Sequence, residues 1–223
     1  IQGLLKHLQS VQQDRHVSHY AGQRVAVDAH CWLHAGLFAA ALELASGLPT
    51  QAHIKYCMRR VSMLRKHGLD PILVFDGHDL PAKQATNKER CRIRRERHDE
   101  GERRLREGDD QGARSCFAQA IDVSHEMVAE LLEELACVGV KFIIAPYEAD
   151  AQLAFLSLNG LVDVCISEDS DLLAMGCDRV LYKMSAEGRG KEICLANALG
   201  RRSFKAFQAA CILMGCDYMA RVR

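Results

Sequence analysis

No stretch of these 223 residues approaches the roughly 18 consecutive apolar residues that a membrane-spanning helix needs, and Ile1 to Leu8 is too short and polar for a secretory signal. No two of the ten cysteines stand as a CxxC pair. They are scattered through a chain large enough to bury a core unaided, which argues against a disulfide scaffold and for reduced, buried thiols. His30 with His34, His53 with Cys57, and Cys211 with Cys216 form no familiar pair of zinc ligand pairs, so no zinc site is expected there and the cysteines read as small buried apolar residues. The formal net charge is zero, which excludes a globally basic surface; any attraction to a polyanion must come from local segregation of charge. A Walker-type glycine loop, a Ser or Cys nucleophile elbow, an internal repeat and a low-complexity linker are all missing. What is left, at 48% hydrophobic and 26% charged residues, is an ordinary globular composition. One compact domain over residues 1–223 is expected, intracellular, in the cytosol or nucleus. Because the chain starts at Ile1 and not at methionine, the expectation is that preceding residues have been removed.

Four short runs rich in β-branched residues have strand length: Arg24 to Val27, Pro71 to Phe75, Val140 to Ala145 and Val162 to Ile166. Each is followed by an acid. A fifth run, Arg179 to Met184, leads instead into a turn region at Gly188 and Gly190. Helical periodicity marks Thr50 to His67, His125 to Cys137, Glu148 to Leu158 and Phe204 to Met214. Strands alternating with helices predict a largely parallel sheet covered on both faces, with ligands gathered at the carboxyl ends of the strands. The almost continuously polar, helix-favouring interval Gly77 to Val123 interrupts this alternation and reads as an insertion over that end.

The acids at the strand ends are Asp28 in VAVDA, Asp76 in VFDG, Glu148 and Asp150 in APYEADA, and Asp169 and Asp171 in SEDSD; Asp217 in GCDY follows the last helix. A single acid after a strand is usually a turn residue or a helix cap. Four successive strands ending this way, two of them with spaced pairs, call for another reason. Carboxylates converging in one cleft repel and raise one another's pKa unless cations neutralise them. All-oxygen donors favour hard cations, Mg2+ first and Mn2+ as a substitute. Two such ions about 4 Å apart suit an in-line displacement at phosphorus, which is phosphodiester hydrolysis, with a phosphatase or other phosphoryl-transfer enzyme as the rival.

Between Lys83 and Arg97 the sequence holds seven Lys or Arg and two acids. A charge run is usually a solvated helix face. Here a polyanion must also be held beside a cleft of carboxylates, and that requires positive residues. Lys83, Arg90, Arg94 and Arg97 follow at spacings of seven, four and three, which places the last three on one side of a helix.

The motifs IQGLL, VAVDAHCWLH, PILVFDG, APYEADAQLAFL, SEDSDLLAMGC and CILMGCDY resemble, in that order, those of the 5′ nuclease superfamily, the flap endonuclease and XPG-like proteins of PIN-like fold. Nearly the whole chain is covered. Trp32, the EADAQLA spelling, and LREGD followed by CFAQAIDVSHEM resemble its exonuclease branch more than its flap endonucleases or excision-repair nucleases. The resemblance implies a three-layer α/β/α fold with a mostly parallel twisted sheet and a helical arch at about residues 77–123. It implies two Mg2+ held by the seven acids, Lys83 and Arg90 at the scissile phosphate, and His34 near the substrate end. The expected activity is 5′-to-3′ exonuclease action on DNA, with 5′-flap incision as an additional option, in mismatch repair, end resection or recombination in the nucleus. DNA with 5′ ends, nicks, gaps or flaps is the implied partner, with no membrane, a monomer, and repair proteins held through a region beyond Arg223. A flap endonuclease preferring junctions and a catalytically silent DNA-binding scaffold are the alternatives. The chain departs from the pattern in four places. It starts at Ile1; Ile93 replaces an arch arginine, leaving Arg92 and Arg94 to substitute; Met184 to Phe204 is shortened; and the chain stops where the family enters a duplex-binding helix-two-turn-helix.

Overall fold

The structure, a computed structural model, describes residues 1–38 and 40–217; Tyr218 of the last motif and Arg223 lie outside the described residues. Its strands are β1 (Gln13–His16), β2 (Arg24–Asp28), β3 (Asp70–Phe75), β4 (Lys141–Ile144), β5 (Val164–Ile166), β6 (Arg179–Tyr182) and β7 (Arg189–Cys194). Its α-helices are α1 (Leu4–His7), α2 (Ala29–Phe38), α3 (Ala41–Ala45), α4 (Ala52–Lys66), α5 (Gln84–Arg106), α6 (Asp110–Ala120), α7 (His125–Cys137), α8 (Ala149–Leu158), α9 (Asp171–Met175), α10 (Leu195–Leu199) and α11 (Phe204–Met214). The chain gathers into two compact units, one of Ile1–Ala29, Arg60–Leu80 and Val140–Arg223, the other of His30–Arg59 and Pro81–Gly139.

The first unit carries one seven-stranded sheet in the order β1-β7-β6-β5-β2-β3-β4. From β6 to β4 all pairings are parallel, while β7 and β1 add antiparallel at one edge. The α/β architecture with a mostly parallel sheet is therefore as expected, and all five anticipated strands are present with ends moved by a few residues. Strands β1 and β7 are additions. The sequence of β1, QDRH, is polar because the outermost strand is held by its backbone ladder and needs little apolar side-chain burial, whereas β7, RGKEIC, lies between β1 and β6 and buries Gly190, Glu192 and Ile193. The presumed turn at Gly188 and Gly190 is corrected accordingly: Gly188 closes the turn at φ 87, but Gly190 lies inside β7. A Cβ on Gly190 would stand 2.8 Å from the Tyr182 carbonyl oxygen, so the strand requires glycine there.

The central strands are buried on both faces, which is why RVAVD and VCI read as continuous apolar runs. One face, with Ala26, Val74, Cys165, Val180, Tyr182 and Ile193, packs with Leu153 and Leu156 of α8, Leu172 and Leu173 of α9, and Phe207 of α11. Register fixes the last row of that face. Asp28 stands opposite Val74, Val27 opposite Ile166, and Ile166 opposite Leu181. One residue further on, Val74, Asp28, Ser167 and Tyr182 therefore form a row across the carboxyl end of the sheet.

The second unit is helical. Its α5 and α6 are joined through Gly108 at φ 81, and Asp109 caps α6 by accepting from the Gly112 N–H at 2.9 Å. Gly101 is buried against Phe117, whose ring a Cβ would meet at 2.7 Å. Ala41, Ala113 and Phe117 form a small core with Leu42, Ala45 and Ile121 beside it. The polar insertion thus has an apolar seam of its own, supplied partly by α3, which the sequence did not group with it. Its outer surface is laced by ion pairs: Glu100 with Arg103 and Arg104, and Arg104 with Asp109.

Candidate metal centre

Six of the seven predicted acids leave the sheet at its carboxyl end, and each is held by a specific backbone or hydroxyl contact or lies in the turn such contacts fix. Asp28 ends β2, is 6% exposed, and its Oδ2 accepts from Ser167 Oγ at 2.8 Å. The same Ser167 oxygen accepts from the Asp169 N–H at 3.0 Å, so one hydroxyl ties the ends of β2 and β5 together. Asp169 Oδ1 in turn accepts from the Asp171 N–H at 2.8 Å. Asp171 opens α9, is 7% exposed, and receives the Ile1 nitrogen, which also donates to Ser170 Oγ at 3.1 Å. Burial lifts the Asp169 carboxyl above the usual carboxylate range; the Asp171 N–H opposes this and the Asp171 charge adds to it.

Asp76 directly follows β3 and acts on a different element. Its Oδ1 accepts from the Ala149 N–H at 2.7 Å, whereas Glu148, at the N-cap of α8, makes no capping bond of its own. A strand-end acid therefore caps a helix 73 residues away and fixes the turn bearing Glu148 and Asp150. The next residue reinforces the clamp: Gly77 N–H donates to Tyr147 O at 2.6 Å and His78 N–H to Pro146 O at 3.2 Å. Asp217 follows α11, and Gln2 N–H reaches the carbonyl of nearby Gly215 at 3.4 Å. Asp171, Asp169 and Asp217 all act electrostatically on the Ile1 nitrogen, and Asp169 and Asp150 both act on Tyr182. Glu168, between Ser167 and Asp169, is raised by burial first and also feels Asp28.

Hydrogen bonds thus link the Asp28, Asp169 and Asp171 loops through Ser167, and Asp76 to the turn of Glu148 and Asp150, but among the described residues no three His, Cys, Asp or Glu side chains close round a common point as a finished cage would. That geometry still fits a hard divalent cation. The donors are all carboxylate oxygens, the set is partly desolvated, and magnesium keeps several waters in place of a full protein shell.

The basic candidates belong to the helical unit. Lys83 is 7% exposed at the end of the Pro81–Lys83 turn that leads into α5. Arg90 and Arg97 are exposed on α5. Arg92 is engaged on both sides, by Glu89 at 2.6 Å and by Glu96. Arg94 pairs with Asp122 at 2.9 Å. His34 is exposed on α2, next to the buried Trp32 and Leu33. Ser167 and Gly77 escaped the sequence reading although both lie inside quoted motifs; the signal available for Ser167 was its place one step past β5, level with Asp28.

Residues 1–97 match the XPG N-terminal domain and residues 139–217 the XPG I-region. The chain belongs to the XPG-like family of 5′ nucleases. Among curated relatives it is 44% identical to Exonuclease 1 of Danio rerio, over 98% of this chain and 28% of that protein. It is 34% identical to Exodeoxyribonuclease 1 of Saccharomyces cerevisiae, over 98% of this chain and 32% of the relative. It therefore spans less than a third of the length of these relatives. The fold agrees with that of the catalytic core of Rad2 in complex with DNA substrate, at a TM-score of 0.75 and 23% identity, over 99% of this chain and 62% of that one. It agrees also with flap endonuclease-1 from Methanococcus jannaschii, at a TM-score of 0.66 and 21% identity, over 95% and 70% of the respective chains.

Proposed function

We propose that this chain is the nuclease core of a 5′-to-3′ DNA exonuclease that hydrolyses phosphodiester bonds with two divalent cations, Mg2+ with Mn2+ as a substitute. The observation that carries this reading is the carboxyl end of the sheet, where Ser167 ties the Asp28 and Asp169 loops together and Asp76 and Gly77 hold the turn that bears Glu148 and Asp150. The likeness to Exonuclease 1 over 98% of the chain supports it. Asp28, Asp76, Glu148, Asp150, Asp169, Asp171 and Asp217 would hold the cations. Bound there, the ions supply charge stabilisation at phosphorus and a water acidic enough to attack at neutral pH.

The protein's own part is orientation. Ser167 holds the Asp28 carboxylate and anchors the Asp169 backbone, and Asp76 fixes the α8 turn. In the helical unit Lys83 and Arg90 offset charge at the reacting phosphate, while Arg97, Arg94, Arg92 and His34 contact the rest of the DNA. No covalent enzyme intermediate is required. Nuclear repair of DNA, monomeric action and recruitment by other repair proteins complete the proposal.

The test is digestion of a 5′-recessed duplex and a 5′ flap, with and without Mg2+, by the wild-type chain and by Asp171→Asn and Asp76→Asn. Metal-dependent release of short 5′ products that both variants lose is the expected result. Each variant keeps a side-chain oxygen, so folding should survive. Near-normal turnover by either variant would make the acids structural, and incision confined to the flap junction would favour a flap endonuclease.

A further inference from the structure

Tyr182 ends β6 in the row that holds Asp28 and Ser167, on the sheet face covered by α8 and α9. Its ring is core: the residue is 1% exposed. Its hydroxyl is another matter, being buried without a hydrogen-bond partner among the described residues. A buried hydroxyl left unpaired costs free energy that a phenylalanine would avoid. The charges acting on it include Asp169 and, more weakly, Asp150, both in the acid set. The thiols of Cys177 and Cys165 are neighbours too, but thiol sulfur is a weak acceptor. Asp169 Oδ1 accepts from the Asp171 N–H, and the Asp171 side chain also bears on this carboxyl, so a donor such as Tyr182 would share it. Burial keeps the phenol protonated, so it can act only as a donor toward a carboxylate.

We propose that Tyr182 is a positioning residue of the metal centre, its hydroxyl donating to the Asp169 carboxylate, directly or through one ordered water, when a divalent cation is held. The inference rests on the metal reading above. Donors behind a ligating carboxylate orient it and raise metal affinity, and their loss typically weakens binding 10–100-fold.

The test titrates Mn2+ into the whole chain, following the free ion by electron paramagnetic resonance, for wild type, Tyr182→Phe and Asp171→Asn. Tyr182→Phe should weaken Mn2+ binding about tenfold, with a metal-free melting temperature unchanged or higher. The tyrosine near-ultraviolet difference spectrum on adding Mg2+ should lose a component in the same variant. Unchanged Mn2+ affinity in Tyr182→Phe, beside weakened binding in Asp171→Asn, would overturn this inference alone. Equal Mn2+ binding by wild type and Asp171→Asn would overturn the metal reading, and this inference with it.

Discussion

Gly77 follows Asp76 directly, and its backbone runs against the segment that leads to Glu148. An alanine there would put its Cβ 1.9 Å from the Ala145 carbonyl oxygen and 3.0 Å from that of Pro146. A comfortable non-bonded contact is roughly 3.5 Å, so the exit of β3 and the 145–147 segment would have to part by more than an ångström. Neither side is a flexible side chain that could swing away. The parting breaks the Gly77 N–H bond to Tyr147 O and the His78 N–H bond to Pro146 O, at 2.6 and 3.2 Å. Two such bonds are worth about 2–4 kcal/mol, counting the partners left unpaired, which corresponds to a melting temperature lower by roughly 5–15 °C in a chain of this size. The chemistry should suffer separately, because Asp76 and the turn of Glu148 and Asp150 move apart; a misplacement of about 1 Å can cost on the order of 100-fold in rate. Thermal unfolding by circular dichroism and single-turnover digestion at saturating Mg2+ read the two effects. Gly160→Ala is the control, since Gly160 has φ 61 but open space around its Cβ position. It should carry only the left-handed backbone penalty of about 1–2 kcal/mol and keep its rate. Gly77→Ala with wild-type stability and rate would refute the clamp.

Tyr20→Phe removes the donor that reaches Glu192 Oε2 at 2.8 Å, leaving a carboxylate 4% exposed beside Arg15 and Arg179; urea unfolding should show a loss of about 1–3 kcal/mol, and no loss would mean the arginines suffice. Burial lowers the His53 pKa below its ordinary value of about 6.5, with Glu130 opposing. Between those two pKa values the unfolded chain binds more protons than the folded one, so stability should fall as pH drops from about 6.5 through the folded pKa. His53→Gln should flatten that part of the stability profile, and an unchanged profile would put the titration elsewhere. Arg97→Ala should reduce the magnitude of the salt slope for duplex binding by about 0.9, and Arg92→Ala by less, because Glu89 and Glu96 already offset its charge; equal reductions would show that DNA displaces those acids.

The parallel part of the sheet was legible because its strands must be apolar on both faces: RVAVD, DPILVF and VCI carry that demand in their composition. The two added strands were not, since QDRH is an outermost strand held by its backbone ladder, and RGKEIC carries its constraints at Gly190, Glu192 and Ile193 through partners elsewhere in the chain. The helix His125–Cys137 was legible to the residue, because the Ser124 cap, accepting from Met127 N–H at 3.3 Å, and an apolar stripe mark the same boundaries. In the insertion the charged surface hid the seam. Gly101 and Phe117 lie 16 residues apart, and nothing local in either segment announces that one was made small to receive the other.

The acids themselves were visible because a strand end is a local feature and the chemistry repeats at four of them. What organises them is not local. Ser167 matters because register sets it beside Asp28, 139 residues away, and Asp76 matters twice, as a ligand candidate and as the cap of α8. This double use has a physical reason. Carboxylates brought together without a cation repel one another, so the apo fold must hold them by bonds that do not depend on metal. The N–H groups of Ala149, Asp169 and Asp171 and the hydroxyl of Ser167 are such bonds, each directed at, or anchoring the loop of, an acid that a cation would share. These bonds hold the loops of the proposed ligands without any ion. On the proposed reading, donors fixed in advance of the ion lower the reorganisation that the reaction would require.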